Sequence, residues 1–350
     1  MPDADFDFWS RHTVPVLSAL LKSSGSYTTV EQETQLAFFK SQVLPTFGPK
    51  PEQKDAQYLF MTHNGSPIEF SINLSDVKPP QVRFSFTPVG EIDTVAGAVG
   101  ADLTWFRQLA TQYFPSTDVA AKAKAVLPPN IPRIPDCLAA LDLDGGKRAM
   151  KAYFGPMIKA VGTGVIDNEG AMRSIKNLQP GGEGMAGSLG MIQSFAQSNP
   201  EIPFVIAMIG IDCIAPAAAR VKMYTRIGSN GFDVVRKLVT LGGQRSDPIT
   251  LKGLEILREI WPLLLNEPDD AYDEEVSKPE FDPKAMHAGI MITWELQASK
   301  NVPKAKVYVP LFQFCNNNQL ITANMERVFS KLGWVWGGEG GYTEAIQSAL

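Results

Sequence analysis

Along this chain the apolar positions change period in a recurring order. Helical spacing runs from Phe6 to Lys22 and from Val30 to Phe47. Alternation with a period of two then takes over in Gln57 to Thr62, Pro67 to Leu74 and Val82 to Thr87, around turns at Asn64-Gly65 and Pro79-Pro80. A second unit repeats the order, with helical stretches at Asp102 to Tyr113 and Asp118 to Val126, then strands at Cys137 to Leu143 and Arg148 to Phe154 around Asp144-Gly145-Gly146. A third runs through Asn168 to Leu178 and Ser188 to Gln197 into strands Phe204 to Cys213 and Arg220 to Ile227. A fourth takes Asp233 to Leu241 and Leu251 to Leu265, then Ile290 to Leu296 and Ala305 to Phe312, with the acidic stretch from Asn266 to Glu275 as an insertion. A fifth begins with helices at Leu320 to Leu332 and Tyr342 to Ala349 and has no strand pair. A unit that presents one hairpin cannot bury a face alone. The pattern therefore predicts an α/β (α+β) fold of repeated ααββ units, side by side, forming an antiparallel β-barrel with helices outside. It predicts one domain over residues 1–350, C-terminally incomplete by its last strand pair.

One triplet recurs in these strands: Lys151-Ala152-Tyr153, Lys222-Met223-Tyr224 and Lys306-Val307-Tyr308. Residues i and i+2 of a strand share a face, so each copy points an ammonium and a phenol into the same space. The copies lie 71 and then 84 residues apart, the interval of the repeated unit. Arg83, 68 residues before Lys151, occupies the equivalent place one unit earlier, and Arg220 adds a cation two residues before Lys222. Exposed strand faces often carry Lys and Tyr. Three copies at repeat spacing instead predict a common cavity, suited to a polyanion whose departure leaves a carbocation.

Composition narrows the partner. With 44% hydrophobic and 20% charged residues the chain has the make-up of a soluble globular protein. Its net charge is −5 while these cations sit in apolar strands, which puts the acidity on the outer surface and argues for small molecules over nucleic acid. Cys137, Cys213 and Cys315 are far apart with no CxxC pair, as expected of a reduced chain. The acidic start Met1-Pro2-Asp3-Ala4-Asp5 and the absence of a membrane-length apolar run predict a cytoplasmic protein with no membrane partner. His12, His63 and His287 are not paired at metal-ligand spacing.

The hairpin cations and tyrosines, together with Trp9, Gly25-Ser26-Tyr27, Leu44-Pro45-Thr46-Phe47-Gly48-Pro49 and Ser66-Pro67-Ile68-Glu69-Phe70-Ser71, resemble the fungal indole prenyltransferases of the dimethylallyltryptophan synthase type. The resemblance covers the whole chain. It implies an ABBA barrel, a ten-stranded antiparallel barrel ringed by helices, with donor and acceptor in its centre, working in secondary metabolism. It implies that Arg83, Lys151, Arg220, Lys222 and Lys306 hold the diphosphate of dimethylallyl diphosphate, that Tyr153, Tyr224 and Tyr308 shield the allyl cation, and that Glu69 is the catalytic residue that accepts a hydrogen bond from an aromatic acceptor. No metal and no cofactor enter this scheme, the partners are the two substrates, and a homodimer is left open. The physics agrees: fixed cations stabilise the leaving diphosphate, and each ring face stabilises the carbocation by roughly 0.5–2 kcal/mol when water is excluded.

The chain departs from that pattern in the missing hairpin and in two strands. Family members that take free tryptophan carry an arginine on the first strand of unit three and tend to carry a lysine on the first strand of unit two. Phe204 to Cys213 and Cys137 to Leu143 contain no basic residue. The expected acceptor is therefore an indole-containing or phenolic molecule without a free carboxylate. Two other readings compete. One is a weakened binding or assembly protein that keeps the lumen. The other is a magnesium-dependent isoprenoid synthase using Asp269, Asp270 and Asp273, although that motif has no second acidic copy facing it. The GxGxxG at Gly182 to Gly187 follows a helix instead of a strand, contrary to the dinucleotide fingerprint.

Overall fold

The computed structural model describes residues 3–50, 62, 66–75, 77–89, 92–126, 137–268, 272–285, 288–338 and 340–349. The stretch from Gln57 to Met61, expected as most of a strand, lies outside them, as do Asp269, Asp270, His63 and His287. Eight strands form one sheet in the order of the chain: β1 (Ile68–Asn73), β2 (Gln81–Phe86), β3 (Cys137–Asp144), β4 (Lys147–Phe154), β5 (Phe204–Asp212), β6 (Arg220–Ile227), β7 (Ile290–Gln297) and β8 (Lys304–Tyr308). Every neighbouring pair is antiparallel. Among the described residues β1 and β8 are the edges.

The two faces of the sheet differ as period-two alternation requires. One face carries Ile68, Phe70, Val82, Phe84 and Phe86, and helices cover it. Phe39 packs on Phe84 at 5.3 Å between ring centroids, and Phe47 meets Phe86 at 6.3 Å. Further round, Phe106 lies against Phe154 at 5.3 Å, and Trp294 against Phe204 at 5.3 Å. Phe84 is 1% exposed. Phe84→Ala is expected to reduce stability by about 3–5 kcal/mol, read by chemical denaturation. A loss below about 1 kcal/mol would show that the helices do not seal this face.

Local chemistry sets the helix ends and ties them to the sheet. Thr28 and Glu31 form a reciprocal capping box at the start of the helix Thr29–Phe38. Asp247 caps Pro248–Leu264 by accepting from the Thr250 N–H. The motif residues that carry the resemblance act as such ties. Trp9 Nε1 donates to the Gly48 carbonyl at 3.0 Å. The Tyr27 hydroxyl donates to Leu143 O at 2.8 Å and accepts from Val82 N at 3.0 Å, bridging the end of the β2–β3 ladder. Gly182 and Gly184 lie in a short turn between two helices, where a Cβ would meet the Ile175 and Ala298 carbonyl oxygens at 2.6 Å. Close packing, not a phosphate loop, explains this glycine run. Two short helices, Asp93–Val99 and Met157–Thr163, were not expected from the periodicity. The last strand ends at Tyr308, short of the expected Phe312, where Pro310 leads into a turn of 3₁₀ helix.

Candidate active site

The register puts every cation and tyrosine singled out above on the face opposite the helices. Glu69 stands opposite Ser85 and Ser71 opposite Arg83 on β1–β2. Lys151 and Tyr153 of β4, Lys222 and Tyr224 of β6, and Lys306 and Tyr308 of β8 follow on the same face, with Arg220 one step along β6. The face is concave. Tyr308 on β8 acts electrostatically on Arg83 of β2 and on Tyr153 of β4, although five strands lie between the first pair. Opposite each principal cation within its hairpin stands a small residue: Ser71 for Arg83, Ala140 for Lys151, Gly210 for Lys222 and Thr293 for Lys306. That leaves the long side chains room above the sheet.

The tyrosines form a continuous row. Tyr153 and Tyr224 meet edge to face at 5.9 Å between centroids, and Tyr224 meets Tyr308 at 5.9 Å. The first two are 7% exposed, while Tyr308, on the edge strand, is exposed. Burial raises the Tyr153 and Tyr224 phenols above their ordinary value, so both stay neutral. Gly210 lies between them. A Cβ there would come within 2.8 Å of the Tyr153 ring and 3.3 Å of Tyr224. Gly210→Ala is therefore expected to displace the Tyr153 ring and lower turnover while leaving the fold intact; an unchanged kcat would show that the ring's position is immaterial.

Sequence reasoning missed the carboxylates of this face. Across each junction between units, a cation stands opposite an acid: Arg83 and Asp142, Lys151 and Asp212, Lys222 and Glu295. Asp142 pairs with both Arg83 and Lys151. Asp212 accepts from Arg220 Nε at 2.6 Å and lies 3.7 Å from Lys222 Nζ, and Glu295 accepts from Arg220 Nη1 at 3.1 Å. Lys306 has no ion pair among the described residues. Asp142 and Asp212 share a face with the cations only once the strands are aligned, and that alignment between units leaves no mark in the period of either strand.

Burial sets the charge state of the site. Lys151 is 4% exposed and Lys222 7%. Desolvation lowers the Lys151 ammonium against the opposing pull of Asp142. It brings Lys222 down to about 8, with Lys151 acting in the same direction and Asp212 against it. Burial alone would raise the Asp142 carboxyl, but Lys151 and Arg83 hold it below the usual range. Desolvation raises Glu69, which keeps access to solvent on the concave face and has no ion pair among the described residues. Beside this charged band lies an apolar patch of Ala140, Tyr153 and Tyr224, packed with Leu138, Met208 and Met291.

The other candidates fall elsewhere. Asp273 is exposed and accepts from the Glu275 N–H in a turn. His12 lies on a helix surface against Phe8. Burial pushes the Cys213 thiol up to about 12, as suits a core residue. No helix among the described residues is long and apolar enough to cross a membrane.

Known proteins share this architecture and sequence. The AnaPT structure from Neosartorya fischeri superposes with a TM-score of 0.81 at 24% identity, covering 99% of this chain and 85% of that one. The indole prenyltransferase tdiB of Emericella nidulans is 34% identical, with 97% of this chain and 87% of that protein aligned. The indole diterpene prenyltransferase terF of Tolypocladium album is 31% identical over 98% and 85%. The family model for tryptophan dimethylallyltransferase matches residues 5–345. With its sheet of αα-flanked hairpins and a match over nearly its whole length, the chain belongs to the tryptophan dimethylallyltransferase family of prenyl-transferring enzymes.

Proposed function

We propose that this enzyme transfers a dimethylallyl group from dimethylallyl diphosphate to an indole-containing or phenolic acceptor that lacks a free carboxylate, without a metal ion. The observation that carries the reading is the convergence of Arg83, Lys151, Arg220, Lys222 and Lys306 with Tyr153, Tyr224 and Tyr308 on one concave face. Heterolysis of the C–O bond transfers the electron pair to a diphosphate leaving group and leaves a delocalised allyl cation. The cations stabilise the former, a role a metal fills elsewhere, and the tyrosine faces stabilise the latter. Attack by the electron-rich ring forms the new C–C or C–heteroatom bond. Glu69 holds the acceptor's N–H or O–H, draws electron density into the ring, and takes up the released proton.

The acceptor preference follows from the apolar patch. The concave-face positions of β3 and β5 beside the tyrosines are Leu138, Ala140, Met208 and Gly210. Arg226, further along β6, already has Glu280 acting on it. An acceptor carboxylate placed against these side chains would be desolvated without a partner. Among the relatives, those named indole and indole diterpene prenyltransferase are 34% and 31% identical, and one named 7-dimethylallyltryptophan synthase is 26% identical. Free tryptophan is expected to bind at least tenfold more weakly by calorimetry than a cyclic dipeptide or terpenoid indole; the reverse order would contradict the assignment.

The test of the reaction is incubation with labelled dimethylallyl diphosphate and a panel of indoles and phenols, with a chelator present. Prenylated aromatic product is expected. Loss of activity to the chelator would favour the magnesium reading, and donor hydrolysis alone would favour a lumen that no longer transfers. The Lys222 ammonium supplies a pH signature. Diphosphate favours its charged form, so donor binding near pH 8 takes up a proton, and affinity falls as pH rises through about 8. Calorimetry in buffers of different ionisation enthalpy reads this uptake; no buffer dependence there would contradict it.

A further inference from the structure

We infer that Asp142 and Asp212 are positioning residues for the donor site: each holds two cations in place for the diphosphate, Asp142 one from β2 and one from β4 and Asp212 two from β6, so that the acids strengthen the binding of an anion they would repel. The inference rests on the donor reading above. The acids repeat as the lysines do. Asp142 and Asp212 lie 70 residues apart and Asp212 and Glu295 83 apart, against 71 and 84 for Lys151, Lys222 and Lys306. Each stands in register with the cation of the preceding unit, so the acid of one hairpin meets the cation of the last. An incidental surface pair would have no reason to recur at each junction.

The geometry explains why a polyanion site contains acids. Lys151 and Lys222 are long, flexible side chains held in a nearly water-free band of the sheet. Without a partner such an ammonium sheds its proton or swings toward solvent. Asp142 takes Arg83 with one oxygen and Lys151 with the other, spanning β2 and β4 from β3. Asp212 takes Arg220 with Oδ2. Its Oδ1, buried and without a hydrogen bond, is the oxygen nearest Lys222. Each carboxylate thus fixes two side chains and keeps the lysine charged before the donor arrives, as a preorganised electrostatic site requires.

Removing an acid therefore has opposite consequences under the two accounts. If Asp142 and Asp212 were only counter-charges, neutralising them would tighten the binding of a polyanion. If they position, neutralising them weakens it. The charge of Lys222 is governed first by burial and then by Lys151 from β4, Asp212 from β5, Arg220 on its own strand and Glu295 from β7. Losing Asp212 removes one of the two opposing acids and lets Lys222 discharge at lower pH.

The experiment is calorimetric titration of the full chain and its variants with inorganic pyrophosphate between pH 6.5 and 9. For Asp142→Asn and Asp212→Asn, affinity at pH 7.5 is expected to fall about tenfold, and in Asp212→Asn the pH of half-maximal affinity to drop by about one unit. Asp212→Glu is expected to restore most of the affinity and the pH midpoint, which a merely structural role would not require. Should Asp212→Asn fail to fold, Asp142→Asn and Asp212→Glu carry the comparison. Equal or tighter binding in the asparagine variants, or an unmoved midpoint, overturns the inference. If the wild-type chain binds no pyrophosphate, the donor reading itself falls and takes this inference with it.

Discussion

Glu69→Gln is expected to lower the rate of aromatic prenylation by about 10²–10⁴-fold, the range that a positioned general base contributes. Glutamine preserves the shape of the side chain and can still accept a hydrogen bond through its carbonyl oxygen, but it carries no charge and takes no proton. The concave position of Glu69, opposite Ser85 and two residues from the partner of Arg83, puts it on the face of the charged band with its side chain open to solvent. Desolvation raises its carboxyl, so the active carboxylate form is lost as pH falls through a value above the ordinary one, and prenylation falls with it. The variant should still ionise the donor. Labelled dimethylallyl alcohol would accumulate while prenylated product falls, which separates the loss of acceptor activation from a collapse of the site. Turnover within threefold of wild type would remove Glu69 from the mechanism.

Lys222→Met is expected to cost about 10²–10³-fold in kcat, comparable to removal of one preorganised donor from a site where negative charge develops. Methionine keeps much of the stem volume at a position only 7% exposed, so the change is chiefly electrostatic. Its effect on stability has a definite sign. A lysine held near 8 in the folded chain and at its ordinary value when unfolded makes the fold less stable below pH 8 than above 10, because the unfolded state binds the extra proton between those limits. Removing the ammonium should therefore raise stability at neutral pH while it lowers turnover. Solvolysis of the donor and aromatic transfer should fall together, unlike in Glu69→Gln. A variant that is both less stable at pH 7 and undiminished in rate would contradict the assigned role.

Much of this arrangement was readable from local pattern. Lys151 and Tyr153, or Lys222 and Tyr224, share a face by strand geometry alone, and the recurrence of the pair at unit spacing pointed to a common cavity. The expected strand Arg220 to Ile227 coincides with β6, because an alternating polar and apolar run between polar turns admits little else. The face of Glu69 was not decidable that way, since Glu69, Ser71 and Asn73 suit solvent equally well. Packing of Phe39 on Phe70 and Phe84 behind them decides it. The acids escaped for a related reason. Pairing Asp142 with Arg83, 59 residues away, is a matter of register between units, which periodicity within a strand does not encode. Gly210 left no signal either: a strand glycine reads as a weak point until the two rings beside it are seen. The helices Asp93–Val99 and Met157–Thr163 are too short, and too interrupted by Gly97 and Gly162, to show a helical stripe.

A structure of the enzyme with dimethylallyl thiolodiphosphate tests the central claim most directly. Diphosphate oxygens are expected within hydrogen-bond distance of Lys151 and Lys222, with the allyl group against the faces of Tyr153 and Tyr224. An analogue bound elsewhere, or lysines that turn away from it toward bulk solvent, would contradict the account.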